Sequence, residues 1–189
     1  MEKNETKTEI VEAAMNLFAS NGYYETTMSD IVEASDTSKG TLYYHFENKL
    51  ELFETMINDV IGRIYEQYLE IVSLDIGVKE KLRRMLAVHA EFYKENYELA
   101  YTIFMEGQKI DIDCKQELWK WKDKFNKIVG DVIVEGIDKG VLKKRDVRLM
   151  THSFLGLTNS FGPAMIEDDF EVDLLVDYTL ELFLEGVGA

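Results

Sequence analysis

The chain has 189 residues, 46% of them hydrophobic and 30% charged, and carries a net charge of −15 at pH 7. That length holds one sizeable core, or a small domain joined to a larger one. The charge argues against a general electrostatic grip on nucleic acid or anionic lipid, so any polyanion has to be met locally.

No apolar run approaches the roughly 18 residues of a membrane span, and MEKNETKTEI carries no apolar signal core, so no membrane partner and a cytoplasmic location are expected. Cys114 stands alone, which rules out an internal disulfide, and His45, His89 and His152 are scattered. A Cys/His zinc site is therefore not expected, nor any other metal or cofactor.

In chain order, Ile10, Ala13, Ala14, Leu17 and Phe18 recur at i, i+3, i+4, i+7 and i+8, one stripe of an amphipathic helix over 6–21 that Asn21-Gly22 ends. Thr27, followed three residues on by Asp30, reads as a capping box for a short second helix with Met28, Ile31, Val32 and Ala34 inward, closing near Ser35-Asp36. Thr37 or Ser38 caps a third helix reaching about Phe46. Asn48 caps a long fourth, with Leu50, Phe53, Ile57, Ile61, Ile64, Tyr68 and Ile71 at spacings of three and four. Further helical stripes fall at about 78–96, 98–108, 115–139, 147–161 and 172–185, and the one proline, Pro163, lies in a connection. With no β-alternation or internal repeat, the expected fold is all-α.

Two short helices joined by a tight turn and braced by a third are the helix-turn-helix plan, whose second member enters the major groove. In TSKGTLYYHF (37–46), Leu42 and Phe46 are four apart and can enter the core, so Tyr43, Tyr44 and His45 cannot all be buried. Duplex DNA suits them: phenol and imidazole donors meet phosphate oxygens while rings lie along sugar or a thymine methyl. Gly40 lets the backbone approach the groove, and Lys39 is placed for a base edge such as guanine O6/N7. The first-turn amides of the helices starting at Thr27 and Asn48 are ready phosphate sites.

Residues 7–53 resemble the DNA-binding domain of the TetR family of bacterial transcriptional regulators. The AA-x-x-LF-x-x-x-G core, the TT before the second helix, SKGTLYYHF and the trailing NK-x-x-LF all fall at that family's spacing. The resemblance implies an N-terminal three-helix helix-turn-helix DNA-binding domain over 1–47 and a larger helical ligand-binding and dimerisation domain over 48–189. It puts groove-reading positions on Ser38, Lys39, Gly40, Thr41, Tyr43 and Tyr44, and phosphate anchors on Thr27, His45 and Lys49. The turn, usually Ala-Gly-Val in the family, is Ser35-Asp36-Thr37 here, with Asp36 expected to take the left-handed conformation that glycine favours. Lys3 and Lys7 replace the arginine common in the family's N-terminal arm. Residues 1–50 hold four lysines against nine acids. With Lys7, Lys39 and Lys49 engaged in two subunits, log K should fall with log salt at a slope of roughly −4 to −5.

In the larger domain, Tyr65, Tyr68, His89, Phe92, Tyr93, Phe104, Met105, Trp121 and Phe125 fall in helical register and form a candidate pocket for an apolar or aromatic effector, with His89 as its polar anchor. Core packing explains the same residues. Trp119 and Trp121 point in opposed directions on one helix and cannot both be interior. By resemblance the last two helices form a four-helix dimer interface, to which Phe154, Leu157, Phe161, Tyr178, Leu182 and Phe183 would contribute; packing within one chain is the alternative.

The expected function is a ligand-responsive transcriptional regulator, a homodimer that represses from a palindromic double-stranded operator and is released by a small-molecule effector. The other reading, from the acidic head, is a helical adaptor that has lost DNA binding. No nucleophile elbow, phosphate-binding loop or zincin helix is present, so no enzyme is expected.

Overall fold

The structure is a computed structural model and describes residues 2–103, 112–158, 160–161 and 171–188, with only the backbone of 2–4 and 112–115. Phe104 and Met105, two of the candidate effector residues, lie outside the described residues. Nine helices are described: α1 (Glu2–Asn21), α2 (Met28–Ala34), α3 (Lys39–His45), α4 (Lys49–Ser73), α5 (Val78–Glu95), α6 (Tyr97–Tyr101), α7 (Ile112–Asp138), α8 (Val147–Thr158) and α9 (Val172–Val187). They fall into two compact units, 1–62 with 98–119, and 63–97 with 120–189.

In the first unit, α1 buries Ile10, Ala14 and Phe18 from the expected stripe and stops where Gly22 turns left-handed (φ 82°), returning its N–H to the Phe18 carbonyl at 3.0 Å. The capping box of α2 forms as read: Asp30 N–H donates to Thr27 Oγ1 at 3.2 Å and Thr27 N–H to Asp30 Oδ2 at 2.7 Å. Ser38, rather than Thr37, caps α3, its Oγ accepting from Thr41 N–H at 3.0 Å. Phe18 meets Phe53 edge-on at 5.4 Å, and Tyr23 lies 4.8 Å from Phe53. Such pairs contribute about 0.5–1.5 kcal/mol beyond the area they bury. They lock α1 and the α1–α2 connection onto α4.

In the second unit, Ile64, Tyr68 and Ile71 of α4, Leu82, Met85 and Leu86 of α5, and Phe125, Val129 and Val132 of α7 are buried stripes, with Tyr68 against Phe125 at 5.1 Å. The Tyr68 hydroxyl donates to the Met85 carbonyl at 3.1 Å, satisfying a fully buried polar group. Arg83 forks onto Asp173 at 2.8 Å and Asp177 at 2.6 Å, which ties α5 to α9.

The interface residues expected on the last two helices divide. Phe154, Phe161 and Phe183 are buried within the chain, and the rings of Phe154 and Phe183 meet at 5.2 Å. They close the protomer's own core and offer no surface to a second copy. Tyr178 and Leu182 are exposed and Leu157 is half-buried. Among the described residues no helix is long and apolar enough to cross a membrane.

Candidate nucleic-acid interface

Only Leu42 of α3 is buried, with Phe46 just beyond its end, so the rest of this two-turn helix is held out by those two anchors. Tyr43 is 46% and Tyr44 67% exposed, far more than packing aromatics show. Ser38, Lys39 and Gly40 are exposed beside them, and Thr41 and His45 are half-buried. The Lys39 ammonium lies 5.9 Å from the Tyr43 ring, and Tyr44 meets His45 edge-on at 5.2 Å. Ser38 and Thr41 share a hydroxyl hydrogen bond of 2.8 Å, so each has part of its bonding capacity spent locally. A Cβ on Gly40 would meet only Ser38 Oγ, at 3.7 Å. The free protein therefore places no demand for glycine there.

The angle at which α3 leaves α2 is set by Asp36, which sits at φ 50° as the sequence predicts for a residue in glycine's place. Ser35 supports the turn, its hydroxyl 2.9 Å from that of Thr37.

Lys49 departs from its expected role. Its ammonium donates to the carbonyls of Tyr23 (2.7 Å), Thr26 (2.7 Å) and, more weakly, Tyr24 (3.4 Å), and sits 4.3 Å from the Tyr23 ring. Burial lowers its pKa, against the opposing pull of Glu25 and Asp30. The three N–H donors are committed to bracing the α1–α2 connection instead of standing free for phosphate.

Both helix starts marked as phosphate sites carry a carboxylate of their own. At α2 it is Asp30, whose pKa is lowered chiefly by the Thr27 hydrogen bonds; at α4 Asn48 accepts from Glu51 N–H at 3.0 Å, while the Glu51 carboxylate takes the Glu47 N–H at 2.6 Å. Lys7, exposed and 5.4 Å from the Phe46 ring, and Lys39 are then the free cations whose side chains are described on this head.

In the second unit, five of the expected effector residues come together as a train of rings. Trp121 lies 5.8 Å from Tyr65, Tyr65 5.4 Å from Phe125, and Phe125 5.1 Å from Tyr68 and 6.0 Å from His89. Phe92 and Tyr93 pair with each other at 6.2 Å. Trp119 is 69% exposed, so of the two tryptophans it is Trp121 that joins the cluster. His89 Nε2 and Asn126 Oδ1 are both enclosed without a hydrogen-bond partner, and burial pushes the His89 imidazole down to about 4.

The sequence reading named Tyr178 and Leu182 on α9 but missed Leu174, which completes an apolar stripe with them, and Leu149 on α8. Leu174, Tyr178 and Leu182, four apart, are exposed, as is Leu149 on α8, while Val176, Thr179 and Phe183 form the inward stripe. Two stripes on one helix were legible as a two-sided element. Leu149, Ser153, Leu157 and Leu182 line an open groove between α8 and α9.

Compared with known proteins, residues 10–56 match the family described as bacterial regulatory proteins, tetR family, and residues 75–162 the tetracyclin repressor-like C-terminal domain. The HTH-type transcriptional regulator QacR of Staphylococcus aureus is 44% identical over 185 residues, 96% of this chain and 98% of its own. The chain belongs to the TetR family. As a member it is a ligand-responsive, DNA-binding transcriptional regulator. The fatty acid metabolism regulator protein of Bacillus subtilis is 25% identical over 182 residues, covering 95% of this chain and 94% of that one. The structure of FadR from Bacillus subtilis in complex with stearoyl-CoA superposes with a TM-score of 0.85 over 95% of this chain and 98% of that one, at 24% identity, a likeness of fold.

Proposed function

We propose that this TetR-family protein is a repressor that acts in the cytoplasm as a homodimer on a palindromic operator and is released by a fatty-acyl effector. The single observation that carries the DNA contact is the exposed face of α3, where Lys39, Tyr43 and Tyr44 stand outward on a helix held only by Leu42 and Phe46. Ser38, Gly40, Thr41 and His45 would complete that contact, with Thr27 at the phosphate backbone. The exposed stripe of Leu174, Tyr178 and Leu182, with Leu149 and Leu157 facing the groove, is the surface proposed to pair two copies. Reading heads one helical turn apart, roughly 34–36 Å, would then meet successive major grooves.

Support for a fatty-acyl effector comes from the two regulators whose names or ligand point to fatty acids, and from the aromatic train in the second unit. The functional division is placed between 47 and 48. Helix α4, which contributes residues to both compact units, is the element an effector would bias, and only by binding one of two states more tightly. As for other transcriptional regulators, no catalytic step is assigned.

A mobility-shift series on the DNA upstream of the gene, run across salt concentrations, tests this reading. With Lys7 and Lys39 engaged in each of two subunits, the slope of log K on log salt should be roughly −3 to −4. Lys39→Ala should reduce that slope by about 2 and relax base preference. Lys49→Ala should weaken every sequence alike with the slope unchanged, because its ammonium braces the connection. A wild-type slope near zero would end the groove-docking proposal.

A further inference from the structure

Neutral polar atoms enclosed without a partner are uncommon in native proteins, because each forfeits about 1–3 kcal/mol of hydration with nothing in return. Two such atoms sit in this unit. One is His89 Nε2 on α5; the other is Asn126 Oδ1 on α7, the residue after Phe125. His89 Nε2 therefore meets neither a donor nor an acceptor among the described residues of the chain itself. Its described ring neighbours are Tyr68 at 5.7 Å and Phe125 at 6.0 Å, and the Tyr68 hydroxyl is already spent on the Met85 carbonyl.

At the other end of the same rings stands an exposed cation. The Lys124 ammonium lies 3.7 Å from the Trp121 ring and 5.8 Å from Tyr65, and makes no ion pair among the described residues. Neighbouring Lys122 is exposed and makes none either. In a chain of net charge −15, a cation left without a carboxylate partner over the edge of an aromatic cluster favours an anion there. Cation–π contact holds Lys124 over the rings without neutralising it.

We infer that this aromatic train is an effector site with a polar group at each end: Lys124 holds the anionic head of an acyl amphiphile, and His89 Nε2 hydrogen-bonds a neutral carbonyl farther in. The inference rests on the effector reading above. A neutral imidazole donates from Nε2 in one tautomer and accepts there in the other, so it pairs with a carbonyl or a hydroxyl. It brings no positive charge to offset the cost of burying a carboxylate. The selected class is therefore an acyl ester or thioester bearing a distal anion, with the apolar chain along Tyr65, Phe125 and Tyr68.

Calorimetric titration of the full chain with palmitoyl-CoA, methyl palmitate on cyclodextrin, and coenzyme A alone tests it. Palmitoyl-CoA should bind tightest and coenzyme A alone should not bind measurably. Lys124→Glu should weaken palmitoyl-CoA at least tenfold and leave methyl palmitate within about twofold. His89→Phe should weaken both about tenfold, and His89→Gln, which keeps a hydrogen-bonding group, should restore most of the loss even if the phenylalanine variant folds poorly. The mobility shift without effector should be the same for wild type and all variants that fold. No binding of palmitoyl-CoA by a wild type that still shifts DNA would overturn the inference and leave the DNA-binding reading standing. So would unchanged affinity in Lys124→Glu and His89→Gln together with His89→Phe, or an equal loss of ester and thioester in Lys124→Glu. A wild type that does not shift DNA would instead remove the repressor reading itself.

Discussion

Two tyrosine–histidine pairs in this protein have nearly the same geometry and opposite surroundings. Tyr44 and His45 meet edge-on at 5.2 Å and 78° on the outside of α3; Tyr68 and His89 meet edge-on at 5.7 Å and 84° in the interior of the second unit. Tyr44 is 67% exposed and Tyr68 is fully buried. The side chains are the same, so the neighbours decide what they do. On α3 the anchors are few and the rings face outward; inside, the phenol is bonded to the Met85 carbonyl and the imidazole nitrogen is the group left over. Side-chain type alone is a poor guide to role, and the count of anchoring residues is a better one.

The contrast breaks most readily at the outer pair's anchor. Leu42→Ala removes the one buried residue of α3 and should cost about 2–5 kcal/mol. Thermal unfolding with circular dichroism should show the loss, and the mobility shift should vanish while α5, α7 and α9 stay helical. Retention of full DNA affinity would mean that α3 is held by something other than this leucine.

The inner pair is sharpened by acid. Because the His89 imidazole is held at about 4 against an unfolded value near 6.5, the unfolded chain binds more protons in that window. Stability from this residue is thus complete above pH 6.5 and falls as pH drops toward 4, by about 3 kcal/mol in all. Chemical denaturation across that range should give a steeper decline in wild type than in His89→Phe. Parallel curves would place the ring in a wetter site.

A smaller effect separates folding from recognition on the outer face. Gly40→Ala should leave stability unchanged or raise it by up to about 1 kcal/mol, since a Cβ has room and alanine favours helix. DNA affinity should nevertheless fall, because the added methyl would face the groove. A variant with wild-type affinity would show that the backbone does not approach the duplex at this point.

Much of the first unit was legible because its determinants are local. The α1 stripe, the Thr27–Asp30 box and the left-handed Asp36 each depend on residues within one or two turns. Lys49 was misread for the opposite reason: its partners are carbonyls 23–26 residues earlier in the chain, and no pattern of side chains announces backbone acceptors. The phenylalanines of α8 and α9 were ambiguous in kind. A buried apolar residue looks alike in sequence whether its neighbour is in the same chain or another, and Phe154 and Phe183 proved to be each other's neighbour. Leu174 could have been joined to Tyr178 and Leu182 by asking whether four-residue spacing occurs twice on one helix.

The carboxylates of Asp30 and Glu51, folded back on the starts of α2 and α4, have a consequence for the search along a chromosome. Any duplex, operator or random, would meet negative charge at both places, which weakens the sequence-independent grip on its backbone. Discrimination is then left to the side chains of α3 that can reach base edges, since a backbone phosphate carries no sequence.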